Sequence, residues 1–167
     1  MVRFVQLRSL ASLALQLAIL CALIAATLFV RFPQVTGPSM APHISSGEYV
    51  LINTLAYKFG PPHRGDIVAF RHDGFTPETY IKRVIGLPGD RVRIDRGTVY
   101  VNGVRLDEPY VRFGDTRSMP EITVPPLSVF VLGDNRAVSE DSRMFGPVRY
   151  SDLMGRAIVG IWPPGAL

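Results

Sequence analysis

The pattern of apolar and polar positions divides the chain into one long apolar segment followed by many short ones. Residues 9–30 form a run of 22 consecutive residues without a charge, and most of them are apolar. An α-helix rises about 1.5 Å per residue, so a helix of this length measures about 33 Å and can cross a bilayer core. The pattern therefore predicts a transmembrane helix over residues 9–30.

After Arg31 the apolar positions come in short runs rich in β-branched and aromatic residues, each bounded by Gly, Pro, Asn or Asp. Such runs are typical of β-strands separated by turns. The predicted strands are residues 48–53, 66–70, 80–86, 91–95, 98–102 and 128–133. Asp95-Arg96-Gly97 and Asn102-Gly103 predict two tight hairpin turns. Short helices are expected only in residues 51–59 and 150–158.

Together these elements predict a mainly β fold, a β-barrel or sandwich, with one N-terminal transmembrane helix. We expect residues 1–8 to be a short cytoplasmic N-terminus, 9–30 the anchor and 31–167 an extracytoplasmic β-domain, with a small β-hairpin insertion at 91–127. Two arginines precede the apolar run and one follows it closely, which favours a cytoplasmic N-terminus. A cleaved signal peptide is the alternative, but the apolar run is longer than usual and no small-residue cleavage site follows it.

Charge and composition narrow the choice of partners. The formal net charge is +4, but the basic residues are scattered and form no run of five, so we expect no nucleic-acid partner. The single cysteine, Cys21, lies in the apolar run and allows no disulfide framework or CxxC pair. The three histidines match no common metal spacing, so no metal is expected. The sequence shows no nucleotide-binding loop or flavin motif, so no cofactor is expected.

The segment GPSMAP, residues 37–42, contains a candidate nucleophile, Ser39, between two prolines. Proline restricts its own backbone and that of the preceding residue, so the serine is presented rigidly. A serine hydroxyl needs a partner that takes its proton. The segment does not match the G-x-S-x-G motif of a nucleophile elbow, because Ala41 occupies the position of the second glycine. A Ser-His-Asp triad with His43, His63 or His72 stays open, because triads are assembled in space.

A Ser-Lys dyad is the third arrangement, and Lys82 is its candidate base. In a strand, alternate residues share a face, so Lys82 would lie between Tyr80 and Val84 on one face. A lysine that acts as a base near neutral pH must lose about 2 units from its usual pKa of about 10.4, and apolar burial produces such shifts. The alternative is that Lys82 extends to water at a sheet edge.

Four segments in order carry a family resemblance: GPSMAP (37–42), RGDIVAF (64–70), YIKRVIGLPGD (80–90) and GDNRAVSEDSRMFG (133–146). In this order and spacing they closely resemble the type I signal peptidases, membrane-anchored Ser-Lys endopeptidases that remove signal peptides from exported proteins. The resemblance implies a signal-peptidase-like catalytic β-domain on the outer face of the cell membrane. It implies signal peptides of secreted preproteins and membrane lipid as partners, and no cofactor.

The resemblance also implies residue roles. Ser39 would be the nucleophile, Lys82 the general base, and Ser139 the residue whose hydroxyl orients the lysine amine. Asp141 and Arg143 would form a structural ion pair near the site, with Asp134 and Arg136 supporting the same loop. An extended substrate would lie beside Gly37, Pro38, Met40, Tyr80 and Ile81. For Met40, contact with lipid and a place in the core are both open.

The sequence departs from the family pattern at several positions. His43 stands where the family usually has threonine, and Ala137 and Val138 stand where many members have Asp-Asn. Gly37 replaces a serine that binds the oxyanion in some members, so backbone N–H groups, including that of Ser39, would take this role. Three rival readings remain: a processing peptidase dedicated to one exported or conjugative substrate, a LexA-like Ser-Lys autoprotease, and an inactive membrane-tethered binding domain.

Overall fold

The computed structural model describes residues 2–73 and 77–162. After the N-terminal helix α1 (Val2–Phe29), the chain forms strands in chain order. These are β1 (Val30–Arg31), β2 (Tyr49–Asn53), β3 (Ile67–Asp73), β4 (Pro77–Gly86), β5 (Arg91–Asp95), β6 (Thr98–Val101), β7 (Val104–Arg105), β8 (Met119–Thr123), β9 (Ser128–Leu132), β10 (Val148–Arg149) and β11 (Leu153–Trp162). A short helix α2 (Ser142–Phe145) precedes β10, and a 3₁₀ turn (Tyr150–Asp152) precedes β11.

The strands pair antiparallel in two sheets. The larger sheet has seven strands in the order β1-β2-β11-β3-β4-β9-β10, and the smaller has four in the order β7-β6-β5-β8. The predicted mainly β fold is therefore confirmed. Among the described strands neither sheet closes on itself, so the fold consists of open sheets and not of the closed barrel that was one of the two predicted forms.

Helix α1 contains residues 9–29 of the predicted anchor, whose last residue, Val30, begins β1. Several of its apolar side chains are more than half exposed, for example Leu15 at 63% and Leu23 at 60%. In the part of the chain that the structure describes, no helix combines the length and the apolar character that crossing a membrane requires. The anchor at residues 9–30 stays a prediction.

The two predicted helices in the β-domain are wrong. Residues 51–53 end β2 and are followed by turns, while residues 150–158 form the 3₁₀ turn and the start of β11. β11 lies between β2 and β3, so it forms ladder hydrogen bonds along both of its edges, and this pairing overrides the helical propensity of its residues. Its Gly155 passes so close to β2 that a Cβ there would lie 2.3 Å from the Asn53 carbonyl oxygen.

Three apolar clusters form the core, and the first of them supports the segment around Ser39. Met40 is only 1% exposed and packs in a cluster that includes Ile44, Ile52 and Ile81. Burying a side chain of this size stabilises the fold by roughly 2 kcal/mol, so it fixes the segment to the sheet. Met40 therefore belongs to the core, and the alternative in which it faces lipid is wrong.

Candidate active site

Ser39 lies in a turn that main-chain hydrogen bonds hold on both sides. The Ala41 N–H donates to the Pro38 carbonyl at 3.1 Å, and the Ile44 N–H donates to the Met40 carbonyl at 3.0 Å. The Ser39 carbonyl accepts a bond of 3.0 Å from the Asn135 N–H, which joins this turn to the segment after β9. Among the described residues the Ser39 N–H itself donates to no group, so it is free to bind an incoming oxygen.

Lys82 extends from β4 to the Ser39 hydroxyl. Its Nζ lies 2.9 Å from Ser39 Oγ and 3.1 Å from the Ile81 carbonyl oxygen. The residue is 3% exposed, and Nζ is 5.3 Å from the centroid of the Tyr80 ring. Lys82 lies opposite Val68 of β3, and β9 pairs with β4 only from Arg83 onward. The 3% exposure shows that the Lys82 side chain turns into the protein and does not extend to water.

The surroundings of Lys82 favour its neutral form. Burial lowers the pKa of the amine from 10.5 to about 8, although the negative charges of Asp141 and Glu140 oppose this shift. Removing the ammonium ion from water costs free energy, and the neutral amine avoids that cost. About half of the molecules therefore carry a neutral Lys82 amine at pH 8, beside a hydroxyl within hydrogen-bond distance.

Ser139 is buried beside the pair, but among the described residues no hydrogen bond joins it to the lysine amine. It is 3% exposed, and its Oγ makes no hydrogen bond of standard geometry among the described residues, although the hydroxyl helps to lower the pKa of the Asp141 carboxyl. It packs on Gly133, where a Cβ would lie 2.2 Å from Ser139 Oγ and 2.5 Å from the Ser39 carbonyl oxygen. Glycine at this position lets both serines approach the end of β9. The role of Ser139 in orienting the lysine stays a prediction.

Asp141 and Arg143 form the ion pair that the family resemblance implies for this loop. Arg143 donates through Nε and Nη2 to the two carboxylate oxygens of Asp141, each at 2.8 Å, and through Nη1 to Asp115 at 2.6 Å. Asp141 also accepts from the Gly133 N–H at 3.0 Å. Burial raises the pKa of Asp141, but the bonds and charge of Arg143 outweigh this effect and hold that pKa below its usual value.

Asp134 and Arg136 do not pair with each other. Asp134 is fully buried and accepts two bonds from Arg83, at 2.8 and 2.6 Å, while Arg136 pairs with Glu108. Sequence reasoning missed the three partners Arg83, Glu108 and Asp115. The two carboxylates belong to the connection between β7 and β8, 28 residues away from the arginines that they bind. No local spacing in the sequence indicates such pairs.

A cleft of about 230 Å³ opens at Ser39 and Lys82. Residues 33–40 form one wall, residues 79–82 of β4 form another, and Val138 and Glu140 complete the lining. All five residues predicted beside the substrate line this cleft, namely Gly37, Pro38, Met40, Tyr80 and Ile81. A larger groove of about 690 Å³ near Arg31 and Arg149 shares no lining residue with it and contains neither Ser39 nor Lys82.

The histidines lie outside this cleft. The side chains of His43 and His63 are 45% and 77% exposed, and His43 Nδ1 lies 3.8 Å from an oxygen of Asp134. The His72 ring packs on Phe145, with 4.4 Å between centroids. Within the described ranges no hydrogen bond joins a histidine to Ser39, so the geometry favours lysine over histidine as the partner of the serine.

Comparisons with known proteins agree with this arrangement. Residues 7–162 match the family described as "Signal peptidase, peptidase S26". Signal peptidase I of Bacillus caldolyticus is 42% identical over 144 residues, 77% of this chain and 78% of that protein. Signal peptidase IB of Staphylococcus aureus strain N315 is 36% identical over 147 residues, 77% of this chain and 76% of that protein. The crystal structure of a signal peptidase I from Enterococcus faecalis V583 matches with a TM-score of 0.52 and 36% identity, covering 58% of this chain and 97% of that chain.

Proposed function

The chain belongs to the signal peptidase family, peptidase S26, and we propose that Ser39 and Lys82 are the pair with which it cleaves signal peptides from preproteins. The observation that carries this proposal is the 2.9 Å contact between Lys82 Nζ and Ser39 Oγ inside a cleft. A hydroxyl becomes an effective nucleophile when a neighbouring base takes its proton. A lysine with a pKa of about 8 supplies that base at mildly alkaline pH.

The reaction proceeds in two half-reactions. Neutral Lys82 takes the Ser39 proton while Ser39 Oγ attacks the scissile carbonyl carbon. The resulting oxyanion accepts backbone hydrogen bonds, and the free Ser39 N–H is one donor for it. Lys82 then gives its proton to the leaving amine as the C–N bond breaks, which leaves an ester on Ser39. Lys82 next takes a proton from water, the hydroxide attacks the ester, and the proton returns to Ser39 as the carboxylate leaves.

The buried ion pairs near the site keep Ser39 and Lys82 in their relative positions. Asp141 and Arg143 fix the loop that carries Ser139, and Asp134 fixes Arg83, the residue that follows Lys82. Arg136 ties the same loop to the connection between β7 and β8 through Glu108. Breaking a buried charge pair of this kind leaves an uncompensated charge, so these pairs resist displacement of the segments that they join. We assign these residues positioning roles and no contact with substrate.

The substrate binds as an extended strand in the cleft. Residues 33–38 and residues 79–81 of β4 form the two walls of the cleft. Main-chain hydrogen bonding of a peptide to an exposed strand is a general mode of peptide recognition. Gly37, Pro38, Tyr80 and Ile81 line the cleft beside Ser39, and the buried Met40 closes its base. In keeping with the family resemblance, we expect small residues, commonly alanine, one and three positions before the cut.

We further propose that residues 9–30 anchor the enzyme in the cell membrane with the β-domain outside. The support is the run of 22 uncharged residues and the arginines on its N-terminal side. A precursor leaves its cleavage site just outside the membrane, so an anchored enzyme meets it there. Extraction of membranes with alkaline carbonate should leave the full chain in the pellet, and protease added outside should digest the β-domain. Release into the supernatant would contradict the anchor and leave the dyad proposal intact.

The dyad is tested by cleavage of a precursor with an Ala-x-Ala site. Ser39→Ala and Lys82→Ala should each abolish cleavage, because each removes one partner of the proton transfer. Lys58→Ala removes the other lysine of the chain, which is exposed, and should cleave normally. His43→Ala should retain substantial cleavage. Normal cleavage by Lys82→Ala together with loss in His43→Ala would overturn the assignment.

A further inference from the structure

The cleft contains one charged side chain that the dyad does not use. Among the described residues that line it, only Lys82 and Glu140 are ionisable acids or bases with formal charge near neutral pH. Lys82 is 3% exposed, whereas Glu140 is exposed and stands at the opening of the cleft next to Val138. A peptide that enters the cleft therefore meets the Glu140 carboxylate.

Glu140 differs from the other carboxylates around the site because no arginine neutralises it. Asp134 and Asp141 each bind an arginine, as do Asp115 and Glu108 in the connection between β7 and β8. Within the described part of the chain Glu140 has no ion-pair partner. Its charge is felt inside the cleft, since it opposes the lowering of the Lys82 pKa.

An unneutralised carboxylate at the mouth of a binding cleft attracts a cation and repels an anion. At about 4 Å in water the attraction between unit charges corresponds to roughly a fivefold change in affinity, and more where solvent is partly excluded. Apolar and uncharged groups make up the rest of the described lining apart from Lys82, so they do not discriminate by charge. Charge complementarity of this kind sets specificity more than overall affinity.

We propose that Glu140 is a specificity-determining residue that favours precursors with lysine or arginine close to the scissile bond and disfavours aspartate or glutamate there. This proposal rests on the proposed function, because it concerns the same cleft. It names the substrate class: precursors whose residues flanking the small-residue positions carry positive charge. Val138 lines the cleft together with Glu140 and is apolar. The Glu140 carboxylate is therefore the charged group in this part of the lining.

The experiment uses the full chain and peptides with one Ala-x-Ala site. Lysine, glutamine or glutamate is placed singly at the position two before the cut and at each of the three positions after it. For wild type, kcat/KM should be about fivefold or more higher for lysine than for glutamate at one or more of these positions. Glu140→Gln should bring that ratio close to one, and Glu140→Lys should reverse it. The preference should weaken at 1 M salt, which shortens the screening length.

Glu121→Gln serves as the matched control, because Glu121 is an exposed glutamate on β8 of the smaller sheet and should leave the ratio unchanged. A lysine-to-glutamate ratio that Glu140→Gln does not alter would overturn this proposal. The peptide with glutamine at the varied position distinguishes failure of the charge proposal from failure of the proposed function. If wild type and Glu140→Gln both cleave it and Ser39→Ala does not, the proposed function stands whatever the charge ratio. If wild type does not cleave it, the proposed function fails first.

Discussion

Replacing Lys82 by methionine should make the protein more stable at neutral pH while abolishing its activity. The folded-state pKa of Lys82 is about 8, and the unfolded value is 10.5. At pH 7 the unfolded chain binds the proton more tightly, so the buried amine lowers the free energy of unfolding by about 3 kcal/mol. Methionine has a similar length and carries no charge, so it removes this cost.

The expected net gain is smaller, because the variant also loses two hydrogen bonds. Lys82 Nζ contacts Ser39 Oγ and the Ile81 carbonyl oxygen, and each such bond contributes about 1 kcal/mol. At pH 7 we therefore expect Lys82→Met to be more stable by roughly 1 kcal/mol, a rise in Tm of about 2–4 °C. The stability of wild type increases as pH rises from about 8 to 10.5, because over this window only the unfolded chain still holds the proton. At pH 10.5 the gain should vanish and change sign.

The assay is heat unfolding of the full chain in detergent, followed by circular dichroism at pH 7 and pH 10.5. Lys58→Met is the matched control, since it changes the one other lysine of the chain, which is exposed, and should leave Tm within about 1 °C at both pH values. The reasoning is refuted if Lys82→Met is less stable than wild type at pH 7. It is also refuted if the shift in Tm is the same at both pH values.

Three further predictions follow from the site. For an uncharged peptide, kcat/KM should rise about tenfold between pH 7 and pH 9 and then level off, because the neutral fraction of Lys82 sets the rate; a tenfold rise per unit above pH 9 would contradict a pKa of about 8. Gly133→Ala places a Cβ 2.2 Å from Ser139 Oγ and 2.5 Å from the Ser39 carbonyl oxygen, so cleavage should fall about 100-fold while the circular dichroism spectrum is retained. Near-normal turnover would show that the two serines can separate freely. Asp115→Asn removes one of two carboxylates bound to Arg143, and urea titration should show a loss of about 1–3 kcal/mol in the free energy of unfolding; an unchanged midpoint would count against this ion pair.

Local pattern was sufficient to predict much of the sheet. Runs of β-formers between turn residues predicted strands that overlap β2, β3, β4, β5, β6 and β9. Strand alternation put Tyr80, Lys82 and Val84 on one face, and Lys82 is indeed buried with Nζ near the Tyr80 ring. Alternation alone did not distinguish a buried lysine from one at a sheet edge, because it does not tell how many neighbours a strand has. The pairing of Ser39 with Lys82 was predicted from the family resemblance.

The remaining features depend on contacts between distant segments. The first half of β11 contains leucine, methionine, arginine and alanine, which favour helix, and its position between β2 and β3 makes this half part of the strand. The partners of Arg136 and Arg143 come from the connection between β7 and β8, 28 residues away in sequence. For Asp134 the nearest arginine in sequence, Arg136, was expected to support the same loop, whereas the arginine bound in space is Arg83, 51 residues away. Such pairs are set by tertiary packing, which spacing along the chain does not record.

The closeness of Ser39 Oγ to an amine with a pKa lowered to about 8 gives the cleft two nucleophiles 2.9 Å apart at mildly alkaline pH. A peptide aldehyde with small side chains can therefore form either a hemiacetal with the hydroxyl or an imine with the amine. Treatment with borohydride would convert the imine into a permanent secondary amine, and mass spectrometry of the digested protein would then distinguish the two adducts. Covalent inhibitors of this enzyme can thus be designed against the lysine as well as the serine.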